Sequence, residues 1–307
     1  METFENILEE KVSEVQEIIY KYLPKEEGYQ STVIEAMNYS FMAGGKRLRP
    51  IIMLKTFEAF GGKSSIINPF MAAIEMIHTY SLVHDDLPEM DNDDLRRGKP
   101  TTHVIYGHAM AVLAGDGLLN FAFETAIKAF NEAGDEEKDY VAKALSVLAS
   151  KAGIYGMIGG QTVDVEAEKK QLTLSKEQLL YTYENKTAAL LQSSLMIGAI
   201  LAGADDETVS RLEEAGYDLG IAFQLQDDIL DIVGNTEILG KPVGSDEEQN
   251  KKTYVSYLGI EEATTEQKRL SKETVAILAD ISKKNNIDNE NIDFLNELVM
   301  WLVDRKL

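Results

Sequence analysis

A chain of 307 residues with 30 Lys plus Arg against 52 Asp plus Glu carries a formal charge of -22 and has no cysteine. The missing thiols exclude disulfides, thiolate metal sites and a cysteine nucleophile. The acidity argues against nucleic acid or anionic lipid as a partner, since both are bound through clustered cations, so an anionic substrate must meet a local reversal of charge.

At 44% hydrophobic and 27% charged residues the composition is that of an ordinary globular protein. No run of about 18 apolar residues suggests a membrane span. The acidic start METFENILEEKVSEVQ lacks the basic residues of a signal peptide, so a cytoplasmic location is expected. Apolar residues recur at steps of three and four in Asn6 to Tyr22, Ile66 to Leu87, Val104 to Phe130, Lys176 to Leu201 and Glu207 to Val233, which predicts long helices. The six prolines stand at 24, 50, 69, 88, 100 and 242, leaving the stretch from 101 to 241 free of the main helix breaker. Ser175 before KEQ and Asp205 before DETV read as N-caps, and Gly61-Gly62, Gly134 and Gly203 as stops. No period-2 run stands out, and Gly234 to Lys252 is the clearest loop. Without a composition shift or internal repeat, the expectation is a single all-α domain over 1–307, a bundle of long helices.

Two aspartate clusters interrupt this pattern. The first is His84-Asp85-Asp86-Leu87-Pro88-Glu89-Met90-Asp91, running on through Asn92-Asp93-Asp94 to Arg96-Arg97. It falls at a helix C-terminus, where carboxylates oppose the macrodipole. Pro88 cannot donate to the carbonyl of His84, so the helix should bulge or end there and the extra residues loop out before Asp91 returns to the site. The second is Gln224-Leu225-Gln226-Asp227-Asp228-Ile229-Leu230-Asp231, in which Asp227 and Asp231 share a face and Gln224 lies one turn earlier. Convergent hard carboxylates without His or Cys suit Mg²⁺, which takes one or two of them plus substrate phosphates. The plain alternative is a solvated acidic helix face; two such clusters within apolar helix count against it.

Against the overall charge, Gly44-Gly45-Lys46-Arg47-Leu48-Arg49-Pro50 gathers three cations, and Arg96-Arg97 forms a second basic site. Arg binds phosphate through a planar fork and Lys as a point charge, so both sites fit a diphosphate, although the first could be a helix-start surface patch. His78, two turns before Asp85, could point into the same cavity or be a structural histidine; His84, His103 and His108 have weaker cases. No GxSxG, HExxH or P-loop string is present.

Together GGKRLRP at 44–50, EMIHTYSLVHDDLPEMDNDDLRRGKPT at 75–101, GGQTVD at 159–164, KT at 186–187, FQLQDDILD at 223–231, and GKPVGSD with KKTY at 240–254 resemble the trans-isoprenyl diphosphate synthases, most closely the short-chain bacterial farnesyl diphosphate synthases. The resemblance implies helices around a deep central cavity, a homodimer, and condensation of isopentenyl diphosphate with dimethylallyl or geranyl diphosphate. It further implies three Mg²⁺ ions, two on Asp85 and Asp91 and one on Asp227, with Asp231, Asp86 and Asp228 supporting. Isopentenyl diphosphate would meet Lys46, Arg49, His78 and Arg97. The allylic diphosphate would meet Arg96, Lys186, Gln224 and Lys241, with Thr187 and Gln224 near the developing cation and Gln161 and Asp164 behind them.

Ionisation of the allylic substrate needs its departing negative charge stabilised and water excluded. The second substrate's double bond attacks the cation, and the resemblance gives the proton then lost to the departing diphosphate. Tyr80 and Ser81 lie five and four residues before Asp85, about 6 to 7.5 Å along a helix. A large aromatic there can floor the cavity, which the resemblance links to a C15 product; a plain core aromatic is the alternative. Geranylgeranyl diphosphate is the nearest rival product. A class I terpene cyclase would carry Asn, Ser and Glu in its second motif, and a non-catalytic partner subunit would have lost an Asp cluster.

Overall fold

The computed structural model describes residues 3–233, 253–287 and 289–303. The loop expected over Gly234 to Lys252, with Lys241, and the C-terminal Arg305-Lys306 lie outside them. The chain forms two compact units, Met1–Leu54 with Lys63–Leu145, and Lys55–Gly62 with Ser146–Leu307.

The first unit holds α1 (Phe4–Ile19), α2 (Ser31–Phe41), most of α3 (Leu48–Ala59), α4 (Ile67–Asp85), α5 (Thr102–Tyr106), α6 (His108–Ile127) and α7 (Ala129–Glu132). α4 lies at its centre: Phe70, Met71, Ala72, Ala73, Ile74, Met76 and Ile77 all have 0% exposure, so the helix is buried around much of its circumference rather than along one stripe. α1, α2, α6 and α7 pack around it. α6 approaches through small residues, Ala111, Ala114, Gly115 and Ala122 being buried. The helix expected over 104–130 breaks at Gly107, whose φ of 81° an L side chain rarely adopts.

One element escaped the periodicity. Leu95–Arg96 (β1) and Lys99–Pro100 (β2) pair antiparallel across Arg97-Gly98, at φ 55° and 74°. Two positive φ values in a two-residue connection are the mark of a type I′ hairpin. Each strand has two residues, too short for alternation to register. The sequence also understated apolarity: His108–Glu132 and Lys138–Lys170 are long and apolar enough by composition to cross a membrane. Core packing takes up one side of α6, where Ala111, Ala114, Leu118, Ala122 and Ala126 have 0% exposure.

The second unit holds the C-terminal end of α8 (Lys138–Ala152), then α9 (Met157–Lys170), α10 (Lys176–Thr182), α11 (Ala189–Leu201), α12 (Asp206–Val233), α13 (Tyr254–Leu258), α14 (Ile260–Asn285) and α15 (Asn289–Val303). Ser175 caps α10 in a reciprocal box with Gln178, and Asp205 accepts the amide of Thr208 at 2.7 Å, both as the spacing predicts. The helix expected over 176–201 is interrupted by a π-helical segment, Tyr183–Ala188. Such segments recur at functional sites because they shift side chains out of α-helical register. α11 is buried over its whole length, and α12 packs between it and α14.

Candidate active site

In the first unit, α4 ends at Asp85, and the chain turns through Leu87-Pro88-Glu89-Met90. The amide of Asp91 then donates to the carbonyl of Asp85 at 2.9 Å, and that of Asn92, at φ 58°, to Leu87 at 3.0 Å. Residues six apart in sequence thus become backbone neighbours, which is the return that Pro88 predicts. Asp85 is half-buried and Asp91 exposed, so both carboxylates can be reached. Asp86 is buried instead: Arg96 Nε donates to its Oδ1 at 2.6 Å. Burial raises its carboxyl pKa, with Arg96 opposing the rise.

The hairpin sends its two arginines different ways. Arg96 turns to Asp86, while the Arg97 guanidinium donates to the carbonyl of Gly44 and lies across Gly45, where a Cβ would meet Nη1 at 2.5 Å. Gly44 and Gly45 have φ of 102° and 130°, so they serve both the turn and the close approach. Of the Lys46-Arg47-Leu48-Arg49 run, Lys46 is exposed and Arg49 half-buried. Arg47, at φ 47°, turns inward: it pairs with Glu75 at 2.5 Å, donates to the carbonyl of Phe41 at 2.6 Å and lies over the rings of Tyr20 and Phe41. It is a buried strut of the loop, a role the sequence could not separate from its neighbours'.

Arg49 carries a buried Nε with no hydrogen-bond partner among the described residues, and its pKa is lowered by burial, with Arg97 adding to the effect. His78 is held well below its usual pKa, first by burial and then by Arg49, Arg97, Arg47 and Arg96. A neutral imidazole among guanidiniums that cannot shed their charge is an environment that favours a polyanion.

The second unit builds a different set. Along α12, Gly216, Gly220, Gln224 and Asp228 form one stripe. A Cβ at Gly216 would lie 2.6 Å from Gln192 Cα, and one at Gly220 2.5 Å from Ala188 Cα. One turn on, Gln224 accepts from the Thr187 hydroxyl at 2.9 Å, and Asp228 from the Tyr183 hydroxyl at 2.5 Å. The glycines let α12 lie close to α11 and the π segment, which brings Gln224 to Thr187. Lys186 donates to Asp164 of α9 at 2.5 Å, and Gly160 fits beneath, where a Cβ would meet the Asn185 carbonyl carbon at 2.8 Å. Asp164 therefore steadies Lys186. Asp227 is half-buried and Asp231 buried. Tyr183 had no signal in sequence beyond being aromatic, and Tyr254 stood only as the last residue of the KKTY string.

Tyr80 is buried at 6% exposure, and Ser81 donates to the carbonyl of His78 at 2.9 Å. Burial and Asp85 push the Tyr80 phenol up to about 12, so it stays protonated.

Asp85, Asp91, Asp227 and Asp231 offer hard oxygens only. Among the described residues no three acidic or histidine groups close into a ready-made cage. Hard oxygen donors fit Mg²⁺, which retains waters and draws part of its shell from substrate phosphates.

An all-α chain with two aspartate clusters, a cation pocket and a lysine-threonine pair on a π segment has the parts of an enzyme that ionises a diphosphate. The polyprenyl synthetase family model matches residues 30–290, and the chain belongs to that family as a trans-prenyltransferase. It is 47% identical over 258 residues to a farnesyl diphosphate synthase of Geobacillus stearothermophilus, covering 83% of this chain and 84% of that one. It is 40% identical over 266 residues to a geranylgeranyl diphosphate synthase of Cyanophora paradoxa, covering 87% of each. Among solved structures, an apo FPP/GFPP synthase of Zymomonas mobilis superposes with a TM-score of 0.84 at 32% identity over 98% of both chains.

Proposed function

We propose that this chain is a farnesyl diphosphate synthase, adding isopentenyl diphosphate to dimethylallyl or geranyl diphosphate. The observation that carries it is Arg49, whose buried Nε has no hydrogen-bond partner among the described residues, grouped with Arg97 and His78 on the unit that also bears Asp85 and Asp91. These cations provide for a diphosphate in addition to the one assigned to Lys186, and a cyclase needs only one.

Asp85, Asp91, Asp227 and Asp231 would hold up to three Mg²⁺ ions. Bound there, Mg²⁺ supplies Lewis-acid stabilisation of the leaving diphosphate. Lys186, steadied by Asp164, and Arg96, steadied by Asp86, add fixed positive charge to the allylic diphosphate, and Lys241 belongs to the same set. The Gln224 and Thr187 oxygens would stabilise a developing allylic cation through their dipoles. Lys46, Arg49, His78 and Arg97 orient isopentenyl diphosphate, whose double bond attacks that cation. The proton then lost passes to the departed diphosphate.

Tyr80, with Ser81 beside it, limits the product to C15. A single polyprenyl synthetase domain is supported by the match over 30–290. A homodimer is supported by the exposed aliphatic face of α6, with Val112 40%, Leu113 49% and Ile127 53% exposed.

The test is product analysis of purified protein with Mg²⁺, isopentenyl diphosphate and geranyl diphosphate, read by chromatography after dephosphorylation. C15 supports the proposal; C20 favours the geranylgeranyl reading that the Cyanophora relative represents; no elongation sinks both. Asp85→Ala and Asp227→Ala are each expected to lower turnover by several orders of magnitude with helicity intact, and near-normal rates would remove the metal assignment.

A further inference from the structure

We propose that Gly115 and His84 are positioning residues for product length, acting through Tyr80; this rests on the reading of Tyr80 as the floor. Tyr80 and His84 lie four apart on α4, hence on one face. Their rings meet edge to face, with centroids 5.8 Å apart and planes at 78°. The imidazole is anchored on α6: Nε2 lies 3.1 Å from the carbonyl of Val112 and 3.8 Å from Asp116 Oδ1. A carbonyl only accepts, so Nε2 carries the proton.

The anchor depends on an absent side chain. A Cβ built on Gly115 would overlap the His84 ring at Nε2 and Cδ2, and would lie 2.8 Å from Cε1. Gly115 sits in the interior of α6, where glycine is disfavoured, and its φ is not positive, so no turn requires it. What it provides is the notch for the imidazole. Tyr80 has no comparable anchor: its hydroxyl is buried and makes no hydrogen bond among the described residues. A ring held by packing alone is placed by its neighbours, and His84 is the one fixed at its edge. The Gly115 notch fixes His84, and His84 fixes how far Tyr80 can retreat from a growing chain.

The inference predicts opposite shifts from its two members. His84→Ala removes the wall, lets Tyr80 move aside and raises the C20 to C15 ratio about tenfold, a typical size-discrimination effect for an apolar pocket. Gly115→Ala drives the imidazole out of the notch toward Tyr80, so that C10 accumulates from dimethylallyl diphosphate. Gly115→Ala combined with His84→Ala relieves the overlap and abolishes the C10 excess. The assay is product distribution from the full-length variants, with Tyr80→Ala alongside and circular dichroism to establish folding. Should Gly115→Ala not fold, the His84→Ala ratio decides alone. A wild-type product distribution in both single variants, with only turnover changed, overturns the inference. Wild-type protein that makes no elongated product refutes the proposed function instead. Wild-type C15 with unchanged C15 from Tyr80→Ala removes the floor, and this inference with it.

Discussion

The hydroxyl of Tyr183 donates to Oδ2 of Asp228 at 2.5 Å, and the same oxygen accepts the amide of Tyr254 at 3.1 Å. These bonds divide the second aspartate cluster into two roles. Asp228 joins the π segment to the start of α13, while Asp227 and Asp231 occupy the adjacent stripe of α12. Tyr183→Phe deprives a buried carboxylate of a hydroxyl donor, and a hydrogen bond to a charged group is worth about 1.5–3 kcal/mol. The urea midpoint should fall accordingly with the slope unchanged; an unmoved midpoint would deny Asp228 its anchoring role.

Arg47 and Glu75 form a buried pair whose side chains are 1% and 3% exposed. Removing one partner leaves an uncompensated charge, so Arg47→Met should cost about 3–5 kcal/mol. Adding Glu75→Met should recover much of that loss, since an apolar pair fills the same space without desolvated charge. Equal loss in single and double variants would mean that Arg47 acts through the Phe41 carbonyl and the Tyr20 and Phe41 rings rather than through Glu75.

Gly160 lies against the backbone of Asn185 and Lys186. Gly160→Ala should push α9 from the π segment at a cost of about 1–3 kcal/mol, typical of overpacking. It should also raise KM for the allylic substrate, because Lys186 and Asp164 would no longer meet. Unchanged KM with lowered stability would separate packing from Lys186 placement.

Asp218 on α12 has its carboxyl pushed from the ordinary 3.8 up to about 6 by burial and by Glu273, Glu214 and Glu266, against Arg269. A raised carboxyl pKa means that the folded state holds the proton more tightly than the unfolded state. The wild type therefore gains stability as pH falls from above 6 toward 4, and bears the full penalty of the charge at pH 8. Asp218→Asn should raise Tm at pH 8, with the advantage shrinking through pH 6 and gone near pH 4. A pH-independent difference would assign the effect to packing.

The helical class, the caps at Ser175 and Asp205, and the return of Asp91 to Asp85 were all legible in the sequence. Each follows from local causes: a period of about 3.6, a side chain reaching its own helix's amides, and a proline that cannot donate. Residue type alone also marked the aspartate clusters and the KRLR run as unusual in this chain.

Local chemistry could not sort members within a run. Arg47 and Arg49 are two residues apart and chemically identical, yet one reaches Glu75, 28 positions away, and the other keeps a buried Nε with no hydrogen-bond partner among the described residues. Asp227 and Asp228 are adjacent, yet only Asp228 meets Tyr183, 45 positions away. The hairpin and the π segment were hidden for the same reason, since strands of two residues and a single helical shift leave no period to read. The sequence by itself determined which chemical groups were available and which helices carried them. The tertiary structure decided which of those groups turned inward to hold the fold and which stayed available for substrate, because that choice depends on partners far along the chain.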